Sequence, residues 1–273
     1  MNFTFLFFCT VVRPGYHPGT DFIYNMTAAR PRGITLIINN KSFAHHSEHG
    51  KQPDRPGSEK DVSLVEELFG ALDFSVKTRQ DLTKQKVQSE VDDIVCQNHS
   101  AYDCFVLWLM SHGKSGEVFC SDGDTISIQT LYDMFSGCNS LKGKPKLFFI
   151  QACRGTREDE GVTVSVESAT PANKSNESTK VDPVIELRIP KYSDFLFAFS
   201  TVDDHVAFRN EIEGSPFVCC VVEAFREHLA HDHILDILTV VNHKVSKIDI
   251  VQKSRICKQT PEVTHTLRKK VYF

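Results

Sequence analysis

Two side chains in this sequence have the types and the setting for acyl transfer. Cys153 stands where an apolar run, Leu147 to Ile150, ends in Gln151-Ala152-Cys153-Arg154-Gly155. His112 stands where a second apolar run, Cys104 to Met110, ends in Ser111-His112-Gly113. A thiol attacks a carbonyl as the thiolate, and an imidazole takes and returns the proton. Gly113 has no side chain to keep a scissile carbonyl away from the backbone, so its N–H and that of Cys153 are the expected oxyanion donors. Each residue alone has a plainer reading, because a lone cysteine is more often a buried structural thiol and a lone histidine a satisfied loop residue. Their shared setting changes the balance: ligand crevices form at strand ends in α/β sheets, and two parallel strands would bring both side chains to one rim.

The elements needed to position them are legible. The runs Ile34 to Ile38, Cys104 to Met110, Leu147 to Ile150 and Phe195 to Phe199 are continuously apolar and rich in β-formers, as strands covered on both faces must be. Between them, helical spacing recurs in Leu64, Val65, Leu68 and Phe69, in Val87, Val91, Ile94 and Val95, and after residue 216 in Phe217, Val221, Ala224 and Phe225 and in Ile234, Ile237, Leu238 and Val241. The expected fold is α/β, a three-layer α/β/α sandwich around a mostly parallel sheet. From Asp159 to Pro183 the chain turns to Ser, Thr, Glu, Asn and Lys without an apolar period, which reads as a flexible linker. Each side of it would hold an incomplete sheet with an exposed edge, so both parts are expected in one fold.

Composition narrows the function. The 273 residues are 41% hydrophobic, enough for an ordinary globular core. A formal net charge of -4 without a basic patch argues against nucleic-acid binding. Phe3 to Val12 is apolar but lacks a basic flank and a clear cleavage site and is too short to span a bilayer, so a disordered leader is expected rather than a signal peptide or a membrane anchor. Nine cysteines, several inside apolar runs (Cys104, Cys219, Cys220), read as reduced intracellular thiols, and a cytoplasmic location follows. Neither these nor His45, His46 and His49 have metal-ligand spacing, so no metal and no cofactor is expected.

The Q-A-C-R-G run with a histidine upstream is similar to the signature of the caspase family. The resemblance extends over nearly the whole chain: Gly33 to Phe43 (GITLIINNKSF), Arg55 to Asp61 (RPGSEKD), Asp81-Leu82-Thr83, Asp194 to Thr201 (DFLFAFST) and Thr266 to Phe273 (TLRKKVYF) also match. It implies a cysteine endopeptidase cutting after aspartate, with Cys153 as nucleophile, His112 as acid/base, and Arg55, Gln151 and Arg209 lining the pocket for the aspartate carboxylate. Arginine suits that task because its guanidinium stays charged and its paired N–H groups match a carboxylate. Ala207 and Phe208 are the expected contacts for the preceding substrate residues. The chain departs from the family here: Val206-Ala207-Phe208-Arg209 replaces the usual Tyr-Ser-Trp-Arg, and Gly214-Ser215-Pro216-Phe217 the usual Gly-Ser-Trp-Phe, leaving Trp108 as the one tryptophan.

The resemblance further implies a leader over 1–29, a large-subunit region over 30–157, an inter-subunit linker over 158–186 and a small-subunit region over 187–273. It implies a precursor cut in the linker, a homodimer of large-plus-small units, protein substrates in apoptosis, and upstream caspases and inhibitor proteins as partners. Linker cut sites are few: Asp182 precedes Pro183, and Asp159 lies close behind the nucleophile. The short stretch before Gly33 resembles executioner rather than initiator members. The chain from Thr264 to Phe273 reads as a dimer-edge strand. Two rival readings remain at this level. A pseudo-caspase that regulates active relatives is suggested by the altered Val206 to Phe208 loop; the other is a related enzyme cutting after Asn or after a basic residue, and a basic-residue cutter would require acidic groups where Arg55 and Arg209 stand.

Overall fold

The structure, a computed structural model, describes residues 22–26, 29–43, 52–161, 189–252 and 254–273. The apolar segment Phe3 to Val12, His45, His46, His49 and most of the linker, Asp182 and Pro183 included, lie outside the described residues.

The continuous apolar runs become strands buried on both faces. In chain order, β1 (Gly33–Asn39) leads through α1 (Ser58–Ala71) to β2 (Phe74–Gln80), and α2 (Lys84–Val95) leads to β3 (Cys104–Met110). A small antiparallel sheet follows, β4 (Gly113–Lys114), β5 (Glu117–Phe119) and β6 (Thr125–Ser127), before α3 (Ile128–Ser136) and β7 (Lys146–Gln151). The remaining elements are β8 (Gly155–Arg157), β9 (Phe195–Phe199), β10 (Asp204–His205), α4 (Pro216–His228), α5 (Ile234–Lys247), β11 (Ile250–Gln252), β12 (Arg255–Cys257) and β13 (Glu262–His265). The central sheet runs β13-β9-β7-β3-β1-β2, parallel throughout except where β13 pairs antiparallel with β9.

Strand residues alternate between two cores, as the period of two requires. Ile37, Val106, Trp108, Phe149 and Ala198 pack against α1, α4 and α5, and Leu36, Phe105, Leu107, Phe148 and Phe197 pack against α2 and α3. This is the three-layer α/β/α sandwich read from the sequence. Trp108 is fully buried and stacks on Phe149 with ring centroids 4.4 Å apart. β7 lies before the linker and β9 after it, and their pairing in register makes one continuous sheet of both halves.

Two strands differ from the sequence reading. β2 is an edge strand of mixed polarity (FSVKTRQ), partly exposed along its length, so it lacks the apolar run that marks its neighbours. The closing strand is Glu262–His265 rather than Thr264 to Phe273. Beyond it the apolar side chains leave the sheet: Val271 is buried in the helical layer, and Phe273 packs on Phe74 and Phe225 at 6.2 and 5.5 Å.

Asp194 anchors the start of β9. Its fully buried carboxylate takes Nε and Nη2 of Arg268 at 2.8 and 3.0 Å and the Tyr24 hydroxyl at 2.6 Å. Burial alone would raise its pKa, but the bonds from Arg268 and Tyr24 outweigh burial and hold it below the usual carboxylate range. A folded-state value below the unfolded one gives stability that is present above the unfolded pKa and lost as pH falls through the folded one. Arg268→Met is therefore expected to cost about 3 kcal/mol at pH 7, because it strands a buried carboxylate. The gap from the unsubstituted chain should shrink in acid, which urea unfolding at pH 7 and pH 3 measures.

Candidate active site

The C-terminal ends of four parallel strands build one rim. The decisive relation is register: Met110 of β3 pairs with Gln151 of β7, and the Ser111 N–H donates to the Gln151 carbonyl at 3.1 Å. His112 and Cys153 each follow that registered pair by two residues on adjacent strands, which lie about 4.8 Å apart in a sheet. Gly113 lies against the backbone of Cys153. A methyl group built on it would come within 2.5 Å of the Cys153 carbonyl oxygen and 3.0 Å of the Glu117 carbonyl oxygen. Both obstacles are backbone, so Gly113→Ala is expected to lower kcat/KM roughly tenfold or more by prising the Cys153 loop away, with only a small fall in Tm. Peptide cleavage and thermal unfolding of the variant check both parts.

His112 is held from behind. Its Nε2 lies 2.8 Å from the Pro53 carbonyl oxygen, and its ring packs on Phe43 with centroids 5.1 Å apart. A carbonyl only accepts, so Nε2 carries the proton and Nδ1 keeps its lone pair for chemistry. Burial pushes the His112 pKa down, the Arg55 and Arg209 charges push the same way, and the Pro53 bond opposes them. The net shift is downward, which leaves a neutral imidazole able to accept a proton at pH 7. Sequence reasoning missed Pro53 because a backbone carbonyl has no side-chain signature.

The sulfur of Cys153 faces the Ala207 backbone, accepting from its N–H at 3.3 Å and lying 3.6 Å from its carbonyl oxygen. The chain after Cys153 zips onto the chain before Arg209. Arg154 N–H donates to the His205 carbonyl at 2.9 Å, and β8 pairs with β10. Arg154 then turns away from the sulfur: its guanidinium lies 4.2 Å over the Phe199 ring, donates to the Thr201 carbonyl at 3.3 Å, and pairs with Glu262 and Asp203.

Arg55 is 3% exposed and lies beside the end of β1, donating to Asn39 Oδ1 at 3.0 Å and to the Asn40 carbonyl at 2.8 Å. Burial, then repulsion from Arg209, lowers its pKa to about 10, so it remains charged at neutral pH. Its charge is also felt at Cys153, and both arginines act on His112. Arg209 donates to the Pro56 carbonyl, which ties its loop to the residue after Arg55. Gln151 is buried, and its Oε1 has no hydrogen-bond partner. Rotating that amide by half a turn presents N–H donors instead.

Asp61 received no role from the sequence, although it lies in a matching segment. Its carboxylate is buried and takes the Ser215 N–H at 2.7 Å and hydroxyl at 2.6 Å, pinning the far end of the Arg209 loop to α1. Burial raises its pKa against the opposing pull of Ser215, Arg55 and Arg209. Pro216 occupies the first turn of α4, where its missing N–H costs nothing. Phe208 is half-buried, and its N–H donates to Gln259 at 2.9 Å. The expected site residues Arg55, His112, Gly113, Gln151, Cys153, Ala207, Phe208 and Arg209 thus share one rim. Among the described residues no cluster of His, Cys, Asp and Glu is arranged to hold a metal, every cysteine is free, and no helix is long and apolar enough to cross a membrane.

Known proteins are similar to this chain over most of its length. Caspase-7 of Gallus gallus is 37% identical over 259 residues, covering 92% of this chain and 80% of its own. Caspase-8 of Mus musculus is 35% identical over 262 residues, and this chain spans 53% of its length. The crystal structure of caspase-1 from Spodoptera frugiperda superposes with a TM-score of 0.80 at 29% identity, over 95% of this chain and 97% of that one. With the caspase domain matching residues 32–272, on a sheet whose rim joins a thiol, an imidazole and two arginines, the chain belongs to the caspase family.

Proposed function

We propose that this caspase-type cysteine protease is catalytically active and cuts peptide bonds after aspartate. One observation supports the reading: the β3–β7 register makes the chains that carry His112 and Cys153 leave adjacent strand ends, at the rim where the Arg55 and Arg209 charges act on His112. The Cys153 thiol gives its proton to Nδ1 of His112, and its sulfur bonds to the scissile carbonyl carbon. The oxyanion is held by the N–H groups of Gly113 and Cys153. His112 returns the proton to the leaving amine as the C–N bond breaks, and water, deprotonated by His112, then hydrolyses the thioester. The aspartate carboxylate lies between Arg55 and Arg209 with Gln151, while Ala207 and Phe208 contact the residues before it.

The test is cleavage of peptides differing only in Asp, Asn, Glu or Arg before the scissile bond. An Asp-over-Asn ratio in kcat/KM of at least about a hundred is expected, since Asn leaves two desolvated cations unpaired. Turnover with none of the four would favour the pseudo-caspase reading, which the Val206 to Phe208 loop suggests.

The same reading extends to activation and assembly. The outer edge of β13 bounds the central sheet, and we assign it to pairing with a second copy. At the linker's start, Asp159 is engaged: its carbonyl accepts from Lys258 N–H and its carboxylate from Gly161 N–H, both at 2.8 Å. Cutting after Asp159 requires that bridge to open. Executioner-like action in apoptosis on cytoplasmic protein substrates fits the family and this site.

A further inference from the structure

Gln259 is 1% exposed and bonds on both sides, its Oε1 accepting from the Phe208 N–H at 2.9 Å and its Nε2 donating to the Ser200 carbonyl at 2.7 Å. Ser200, also fully buried, grips the peptide just before the nucleophile: its hydroxyl donates to the Ala152 carbonyl at 3.1 Å and accepts from the Ala152 N–H at 3.3 Å. Phe208 follows Ala207, whose N–H donates to the Cys153 sulfur at 3.3 Å. The contacts close on themselves, running from the sulfur to Ala207, Phe208, Gln259, Ser200, Ala152 and back to Cys153.

We propose that Gln259 is a positioning residue that sets the Ala207–Phe208 backbone against the Cys153 sulfur by closing this ring. The proposal rests on the reading of Ala207, Phe208 and Arg209 as substrate contacts and adds what holds them. A primary amide suits the place because one side must accept and the other donate. A carboxylate would turn an oxygen onto the Ser200 carbonyl, and a hydrocarbon would leave the Phe208 N–H and the Ser200 carbonyl without partners in a dry interior. Gln259 touches neither substrate nor the reacting atoms, so its loss should loosen the loop more than it alters the chemical step.

The experiment compares Gln259→Met, which keeps length without polar atoms, with Gln259→Glu and the unsubstituted chain. Amide exchange of residues 204–209 is expected to quicken about tenfold in Gln259→Met, the factor one lost hydrogen bond carries, with β3 and β7 unchanged. In the aspartyl-peptide assay, KM should rise about tenfold in both variants while kcat stays within about threefold. Gln259→Asn stands in if either variant fails to fold, with the same expected pattern, because the shorter amide cannot reach both partners. Unchanged exchange at residues 204–209 would overturn the proposal, as would exchange raised equally in β3 and β7, or a loss confined to kcat. Exchange decides the matter even if the unsubstituted chain cuts no aspartyl peptide, an outcome that removes the proposed activity instead.

Discussion

Cys153→Ala is expected to abolish cleavage of aspartyl peptides, by on the order of 10⁵-fold or more in kcat, while Tm moves by no more than about 2 °C. The size of the loss follows from the chemistry: without the sulfur no acyl-enzyme forms, and what remains is the oxyanion pocket acting on water. The small stability effect follows from the surroundings. Cys153 is half-buried, and its sulfur contacts the Ala207 backbone. The buried thiols of Cys120, Cys219 and Cys220 are not suited to replace it. Burial pushes Cys120 up to about 12 and Cys219 and Cys220 up to about 11, so these carry no thiolate at neutral pH. Cleavage assays and thermal unfolding on the same preparation separate the readings. Full activity in the alanine variant would refute Cys153 as nucleophile, and a large drop in Tm would return it to the structural role that a lone cysteine most often has.

How much of this was legible in the sequence depended on where each constraint resides. β3 and β7 carry theirs in the side chains, since strands covered on both faces must be apolar throughout, and their ends marked His112 and Cys153. β2 was invisible because an edge strand is half-solvated and has no such run. The tail after β13 misled because Leu267, Val271 and Phe273 are apolar for the helical layer rather than for the sheet. In the candidate site, residues whose chemistry lies in the side chain could be named, whereas Pro53 acts through a carbonyl. Ser200 and Gln259 act through spacing between segments far apart in sequence. A glutamine in Lys258-Gln259-Thr260-Pro261 looks like a surface residue until the fold buries it.

The arginine slot gives the second large expectation: Arg55→Lys should lower kcat/KM for aspartyl peptides by on the order of 10³-fold at pH 7.5, mostly through KM, and the deficit should deepen as pH rises to 9. The first part follows from geometry. Arg55 spends Nη1 on Asn39 and Asn40, and its planar fork has further N–H groups for a carboxylate, whereas an ammonium on a shorter stem cannot serve both. Misplacing a buried cation and stranding a desolvated carboxylate is worth about 3–5 kcal/mol. The second part follows from burial. Lys146, also 3% exposed, is pushed by burial down to about 8. A lysine at position 55 would meet similar burial with Arg209 as an added like charge. A cation whose pKa is lowered is charged below that value and loses its charge as pH rises through it, so the slot would fade across pH 7–9. The native guanidinium, lowered only to about 10, stays charged over that range. Steady-state kinetics of both proteins at pH 7, 8 and 9 read the ratio directly. A ratio that stays flat, or a variant whose KM matches the unsubstituted chain, would mean that Arg55 does not meet the substrate carboxylate.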